Sequence, residues 1–255
     1  MADVHSLIER AVAEVHLASV PIPSWDDYSD EFKAGVPLLQ SSAVTIALDP
    51  AAPAIASLIE KAARLPLPER LASESRTLAF DLRGDPDAPQ RFLTSLLDQD
   101  SGAPAPPAML FYLGWTVLAR YLRGVVAAFN SWRDEERWLR PYCPTCGAPP
   151  AMAQLIGKDP GRLRFLVCGC CRTRWRYRRT DCPFCETDSH QHSILAIEGE
   201  GDLRIDYCEG CGGYLKTYNG EGSEAVFLAD WTSIHLDIIA RDRGLKRLAA
   251  SIYTL

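Results

Sequence analysis

Eight of the nine cysteines of the chain form four Cys-x-x-Cys pairs. A pair with this spacing lets one tight turn present two sulfur atoms to a metal ion, and two such turns complete a tetrahedron. The spacing divides the pairs into two groups, because 21 or 22 residues separate the pairs within a group, whereas ten separate the groups. It therefore predicts two tetrathiolate metal sites, one formed by Cys143, Cys146, Cys168 and Cys171, and the other by Cys182, Cys185, Cys208 and Cys211.

The two cysteine groups also read as a repeat. The segment Gly161-Arg162-Leu163-Arg164 before one pair aligns with Gly201-Asp202-Leu203-Arg204 before another, at an offset of about 40 residues. Short β-prone runs lead into or out of cysteine pairs at residues 163–167, 174–178 and 203–207. Because small metal ribbons are built in this way, we expect two tandem rubredoxin-like or zinc-ribbon modules, at residues 141–180 and 181–220.

The identity of the metal is not decided by the ligand set. Four thiolates bind zinc as a structural ion or iron in the rubredoxin manner, and a redox-active dithiol is a third alternative. The ninth cysteine, Cys170, lies inside one of the pairs and is interpreted as a spare thiol. His190 and His192 follow Cys185 closely, but four cysteines already complete that site.

The remaining sequence is mostly helical in pattern. Residues 1–140 contain no cysteine and show amphipathic periodicity over residues 4–20, 52–65, 68–82, 90–97 and 108–139, with proline and glycine between these segments. Residues 225–253 return to a helical period. We therefore predict an α+β protein in which an all-α domain, residues 1–140, precedes the two metal modules and a C-terminal helix lies in residues 221–255.

Composition and motifs exclude several classes of protein. The beginning of the chain lacks the features of a secretory signal, and prolines interrupt its longest uncharged stretch, Gly102 to Ala119. These features predict a cytoplasmic protein without a membrane span, in which paired cysteines bind metal rather than form disulfides. The chain carries no hydrolase serine motif, no phosphate-binding glycine loop and no carboxylate pair spaced for acid and base catalysis. We therefore predict that it is not an enzyme.

Charge differs sharply between the two modules. Residues 140–180 contain nine basic residues and one acid, whereas residues 181–211 contain eight acids and one arginine. Four arginines in the first module alternate with Thr173, Trp175 and Tyr177, so that a strand would place them on one face. This face is predicted to bind the acidic module, an acidic client protein or nucleic acid, although the acidic pI of about 5.4 argues against nucleic acid. The candidate partner-binding residues are Arg172, Arg174, Trp175, Arg176 and Arg178.

The cysteine region resembles the FdhE family, accessory proteins needed to make active formate dehydrogenase. The similarity extends from Arg140 to about Asp237, with a limited further match around Phe32 to Leu39. The segments that carry it are Arg140-Pro141-Tyr142-Cys143-Pro144-Thr145-Cys146-Gly147, Leu163-Arg164-Phe165-Leu166-Val167-Cys168, Thr173-Arg174-Trp175, Cys208-Glu209-Gly210-Cys211-Gly212-Gly213-Tyr214-Leu215-Lys216 and Asp230-Trp231-Thr232-Ser233-Ile234-His235-Leu236-Asp237.

The resemblance implies a cytoplasmic, non-enzymatic maturation factor that binds the catalytic subunit of a formate dehydrogenase. It implies that the eight paired cysteines are metal ligands, and it favours iron of the rubredoxin type, with zinc as the alternative. Two other functions stay open at this point. One is a rubredoxin-like electron carrier, and the other is a zinc-ribbon protein that binds nucleic acid through the arginine-rich segment.

Overall fold

The computed structural model describes residues 2–97, 106–158, 161–187, 191–249 and 251–253. It combines helices with a β-sheet, in agreement with the mixed class predicted. The chain divides into two compact units. One contains the residues up to Pro23 together with Ile46–Ala128, and the other contains Ser24–Thr45 and Phe129–Tyr253. The domain boundaries drawn from the sequence stay a prediction.

Most of the described helices follow the amphipathic segments of the sequence, and several are shorter than the segment that predicted them. The helix predicted over residues 4–20 ends at Ala13, and the segment 108–139 is divided into three helices. Among the described residues, no helix has both the length and the apolar character of a membrane span. The helices are α1 (Ala2–Ala13), α2 (Ser29–Ala34), α3 (Ala52–Ala62), α4 (Glu69–Gly84), α5 (Ala88–Leu97), α6 (Ala108–Tyr121), α7 (Arg123–Trp132), α8 (Glu135–Trp138), α9 (Ser223–Thr232) and α10 (Ile234–Asp242).

Helix α6 forms the centre of the first unit. Its side chains Leu113, Trp115 and Val117 are fully buried, as expected for a helix that is apolar on nearly every face. Gly114 lets α5 approach it closely, because a Cβ atom at this position would lie 2.1 Å from Cδ1 of Leu96. The apolar segment that follows the prolines is therefore a helix of the core.

The cysteine region forms a six-stranded sheet within the described residues. The strands lie in the order β3-β2-β1-β6-β5-β4. The prediction had identified the central and third strand of the first module and the central strand of the second, but it missed the others. The strands are β1 (Pro150–Ile156), β2 (Leu163–Cys168), β3 (Arg174–Tyr177), β4 (His192–Ala196), β5 (Leu203–Cys208) and β6 (Tyr214–Asn219).

The sheet is made of two equivalent three-stranded meanders. In each, the middle strand pairs in antiparallel fashion with both neighbours, as β2 does with β1 and β3, and β5 with β4 and β6. The repeat seen in the sequence is thus a structural repeat. The meanders join through the first strand of one and the last strand of the other, because β1 and β6 pair in parallel, with Met152 opposite Lys216. This head-to-tail joint makes β3 and β4 the two edges of the sheet.

The C-terminal helices pack on this sheet. Val226 and Ala229 of α9 form a cluster with Met152 and Val167, and a second cluster joins α10 to β5 and β6. The single helical segment predicted at the C-terminus is divided at Ser233 and ends at Asp242. Beyond it, the chain returns to the second meander, where Lys246 forms a parallel bridge with Gly213.

The segment Ser24–Thr45 belongs to the same unit as the metal modules. The backbone N–H groups of Leu38 and Leu39 donate to the carbonyls of Pro144 and Thr145, at 2.9 and 2.8 Å. The hydroxyl of Tyr142 donates to the carbonyl of Gly35 at 2.8 Å. An aromatic cluster formed by Trp25, Tyr28, Phe32, Phe129, Trp132 and Trp138 lies beside these bonds. The segment therefore supports the turn that carries the first cysteine pair.

Candidate metal centres

The first cysteine group is buried inside the second unit. Cys143, Cys146, Cys168 and Cys171 bring their sulfur atoms together from the turn before β1 and the turn between β2 and β3. The Sγ atoms of Cys143 and Cys171 lie 3.4 Å apart, as do those of Cys146 and Cys168. All four residues are buried, so that solvent has little access to this site.

The second cysteine group repeats this arrangement nearer the surface. It consists of Cys182, Cys185, Cys208 and Cys211, in the turn before β4 and the turn between β5 and β6. The Sγ distances are 3.8 Å between Cys182 and Cys211 and 3.6 Å between Cys185 and Cys208. Cys185 is exposed and Cys211 is half-buried. One edge of this site therefore faces solvent.

Both groups fit a tetrahedral metal ion. Metal–sulfur bonds of about 2.3 Å give a tetrahedron with edges of about 3.8 Å, close to the observed sulfur separations. None of the nine cysteines forms a disulfide. Backbone N–H groups also donate to sulfur at 3.3 to 3.4 Å, from Thr145 to Cys143, from Cys170 to Cys168, from Phe184 to Cys182 and from Gly213 to Cys211. Such bonds stabilise negative charge on metal-bound thiolates, so each group could bind one metal ion.

Each cysteine turn ends in a residue with positive φ. Gly147 (+82°) and Gly212 (+70°) take this conformation at little cost. Arg172 (+64°) and Glu186 (+56°) occupy the equivalent positions of the other two turns, where a side chain is strained. The guanidinium of Arg172 lies over the ring of Phe227, 4.1 Å from its centroid, and this contact offsets the strain.

Comparisons with known proteins agree with this architecture. The family described as "FdhE, central domain" matches residues 142–179, which hold the first cysteine group and its three strands. The chain is 40% identical over 120 residues to the Protein FdhE homolog of Pseudomonas aeruginosa, and 33% identical over 190 residues to that of Pseudomonas putida. This chain belongs to the FdhE family. The resemblance read from the sequence is confirmed.

The sequence similarity to FdhE proteins covers only part of their length. The two alignments cover 42% and 67% of this chain but only 38% and 56% of the relatives. The chain thus spans about half the length of the curated relatives it matches. Over 99% of this chain and 86% of the other, the structure superposes on the crystal structure of the FdhE protein from Pseudomonas aeruginosa, with a TM-score of 0.61 and 20% identity. That likeness shows a shared fold.

Two threonines tune the thiols of this FdhE-family protein. Thr187 Oγ1 lies 3.1 Å from Cys185 Sγ and 3.5 Å from Cys208 Sγ, and it lowers the pKa of Cys185. Burial by itself would raise the pKa of Cys208, but Thr187 and backbone N–H groups outweigh it and lower that pKa to about 6. Thr173 takes the corresponding place beside Cys171, at 3.1 Å. The hydroxyls therefore favour the thiolate form that binds metal.

Cys170 and His192 do not join the cysteine groups. Cys170 is buried, but its thiol is not one of the four that converge in the first site. His192 lies on β4, where its Nε2 is 4.0 Å from Oδ2 of Asp206. His190 lies outside the described residues. Each group thus brings four cysteines together without Cys170 or His192.

The arginine-rich segment is bonded within the chain. Arg174 donates to Gln154 at 2.8 Å, Arg176 pairs with Glu136, and Arg178 lies 3.1 Å from Asp181. Trp175 is fully buried, and its Nε1 donates to the carbonyl of Arg140 at 2.9 Å. Of the four arginines expected on one strand face, Arg174 and Arg176 share a face of β3, whereas Arg172 and Arg178 lie outside this strand. The contacts of this segment with a partner stay a prediction.

Sequence reasoning missed a buried ionic cluster beneath α9 and α10. Nζ of Lys216 lies 2.7 Å from Oδ1 of Asp230 and 2.8 Å from Oδ2 of Asp237. Arg247 reaches the same two carboxylates at 2.7 and 2.8 Å, and Tyr214 donates to Asp237 at 2.7 Å. Lys216 ends the Gly-x-Tyr-Leu-Lys segment that carried the family resemblance, and this segment was the available signal. Through Lys216, this segment binds the C-terminal helices to the sheet.

Proposed function

We propose that this chain is a maturation factor that binds the catalytic subunit of a formate dehydrogenase in the cytoplasm and is needed for its assembly into active enzyme. Membership of the FdhE family is the observation that supports this proposal. In this role the protein is an accessory factor, without catalysis of its own. The helices and the charged surfaces of the metal modules provide the area for a client protein.

In this proposal the eight paired cysteines bind two metal ions, each through four thiolates. Iron of the rubredoxin type is favoured and zinc is the alternative, since either metal accepts this ligand set. A bound iron would supply a one-electron couple, and a bound zinc would supply folding free energy alone. The buried first site suits a structural ion. The second site, with Cys185 exposed, suits an ion that responds to its surroundings.

The experiment that tests the function is coexpression with the client. The tagged chain and a formate dehydrogenase catalytic subunit are produced in a host that lacks its own FdhE protein, and both copurification and formate oxidation are measured. We expect the wild-type chain to copurify with the subunit and restore activity. Cys182→Ser should lose this effect, whereas Cys170→Ala, which removes only the spare thiol, should retain it. Full activity without the chain contradicts the proposal.

Electron transfer is a second candidate function, and the exposure of Cys185 favours it. An electron carrier requires an iron that is reduced and oxidised reversibly at a site that a partner can approach. Voltammetry of the iron-loaded protein, with Cys185→Ser as the matched variant, measures this directly. A reversible couple that disappears only in the variant supports electron transfer, and its absence in the wild type leaves the maturation role alone.

A further inference from the structure

The head-to-tail joint between the meanders gives the sheet two different edges. On β3, the pairing with β2 directs the backbone groups of Arg174 and Arg176 outward, because Cys168 and Thr173 already form a hydrogen-bonded pair. Both are capped. The guanidinium of Arg133 donates to the carbonyl of Arg174, and the N–H of Arg176 donates to Glu135 at 3.1 Å. The β3 edge is therefore closed to another strand.

None of the described residues forms such a cap on the β4 edge. Glu209 donates its N–H to the carbonyl of Gln191 at 2.8 Å, which makes these two residues a hydrogen-bonded pair of the antiparallel ladder. Because bonded and non-bonded pairs alternate, the N–H and C=O groups of His192, Ile194 and Ala196 point away from β5. Within the described part of the chain, nothing hydrogen-bonds to these outward groups. Three residues thus present a free strand edge.

The side chains of β4 leave this edge accessible. Leu195 packs toward the cluster around α10, whereas Ile194 is 53% exposed and Ala196 is exposed as well. Exposed edges of this kind pair with other strands unless lysine, proline or a covering segment blocks them. Residues 192–196 contain neither lysine nor proline. The edge therefore suits an added strand with small or β-branched side chains.

The charge around β4 selects the kind of strand. Glu198 and Asp202 follow it in the hairpin, and Glu186 and Glu209 lie in the cysteine turns at its other end; all four are exposed. Three cations lie near His192. Arg204 is paired, with its Nε 2.7 Å from Oδ1 of the buried Asp206, and Arg164 is buried and donates to backbone carbonyls, so that Arg179 is the exposed one. Acidic side chains at both ends of a free edge attract a segment that carries positive charge.

We propose that the β4 edge binds an extended, basic segment of the client protein by strand addition, next to the second cysteine group. This inference rests on the proposed function, because it assumes that a client exists. The backbone of the client segment pairs with His192, Ile194 and Ala196, and its cationic side chains meet the surrounding carboxylates. The client strand thus occupies on β4 the place that β6 occupies on β1.

The test uses the full chain and a short fluorescent peptide of alternating lysine and valine. Binding is measured by fluorescence anisotropy for the wild type, Ile194→Pro and Ile194→Thr. The proline removes an outward N–H that none of the described residues uses, so the β4–β5 ladder is retained. Threonine keeps that N–H and a β-branched side chain. We expect the peptide to bind the wild type and Ile194→Thr alike, and Ile194→Pro about tenfold more weakly.

Several controls decide the outcome. Ala196→Pro removes a second outward N–H and replaces Ile194→Pro if that variant has lost its metal or its fold. A lysine–proline peptide of equal charge should not bind. The proposal is overturned if this peptide binds as tightly as the lysine–valine peptide, or if both proline variants bind the lysine–valine peptide as tightly as the wild type does. If size-exclusion chromatography shows a wild-type dimer that Ile194→Pro dissociates, the edge serves a second copy and the proposal is also wrong. If the dehydrogenase subunit still copurifies with Ile194→Pro while the peptide result contradicts strand addition, only the strand-addition proposal fails and the proposed function stands.

Discussion

The Nζ atom of Lys216 lies 2.7 Å from Oδ1 of Asp230, and the two side chains are only 1% and 4% exposed. Lys216 stands in the middle of β6 and Asp230 near the end of α9. Asp237 and Arg247 complete the cluster from α10 and from the chain beyond it. A lysine in a strand that is buried on both faces is stable only because these carboxylates meet it. The ionic cluster is thus the joint between the sheet and the C-terminal helices.

Replacement of Lys216 with methionine should destabilise the second unit. The change leaves the buried Asp230 and the half-buried Asp237 with Arg247 as their remaining cation, and breaking a buried pair in this way costs about 3 kcal/mol. Urea unfolding followed by circular dichroism measures the loss. Arg241→Met on the exposed face of α10 is the control, with an expected change below about 0.5 kcal/mol. Equal midpoints for the two variants would show that the cluster contributes little.

The same cluster predicts a dependence of stability on pH. Burial by itself would raise the pKa of Asp230, but Arg247 and Lys216 outweigh it and lower that pKa below its ordinary value of 3.8. The carboxylate therefore contributes stability at any pH above about 4, and this contribution is lost as the pH falls through the folded-state value. The free energy of unfolding of the wild type, minus that of Asp230→Asn, should decline below pH about 4. A constant difference across this range contradicts the assignment.

The two cysteine groups should release metal at different rates. The first group is buried, whereas Cys185 exposes one edge of the second. A chromophoric chelator should therefore remove one ion per chain quickly and the other slowly. Cys185→Ser should abolish the fast phase and keep the slow one, and Cys146→Ser is the matched change in the buried site. A single phase in the wild type would show that exposure does not control release.

The positive-φ residues of the cysteine turns give a matched pair of substitutions. Glu186→Gly removes backbone strain at an exposed position and should stabilise the metal-bound protein by about 0.5–1 kcal/mol. Arg172→Gly removes similar strain but also the contact with Phe227, worth about 1 kcal/mol, so no gain is expected. Thermal unfolding of the two variants compares them. A gain for Arg172→Gly as large as that for Glu186→Gly would show that the stacking on Phe227 is unimportant.

Local pattern predicted the grouping of the cysteines and the repeat. A Cys-x-x-Cys turn depends on neighbouring residues alone, and β2 and β5 stand at equivalent positions before their cysteine pairs. The amphipathic period likewise predicted most of the described helices, since residues that share a helix face are near each other in sequence. The family resemblance depended on the same cysteine turns and the residues around them.

Strand β6 shows why other elements escaped prediction. Its segment contains Lys216, Thr217 and Asn219, which reads as polar, and only the carboxylates of α9 and α10 make Lys216 a buried residue. Strand β1 has no alternation, because it is covered on both faces and lies between β2 and β6. Neither condition is visible in the strand's own residues.

The sequence by itself determined the two groups of four cysteines, the mixed class of the fold and the family. Only the tertiary structure decided that the meanders join head to tail and that Ser24–Thr45 supports the first cysteine turn. It also decided that Arg133 and Glu135 close one edge of the sheet, while no described residue covers the β4 edge. Cysteine turns and helix periods arise from short-range geometry. Strand order and edge capping arise from contacts between residues far apart in the chain, and these are set by which surfaces can be buried together.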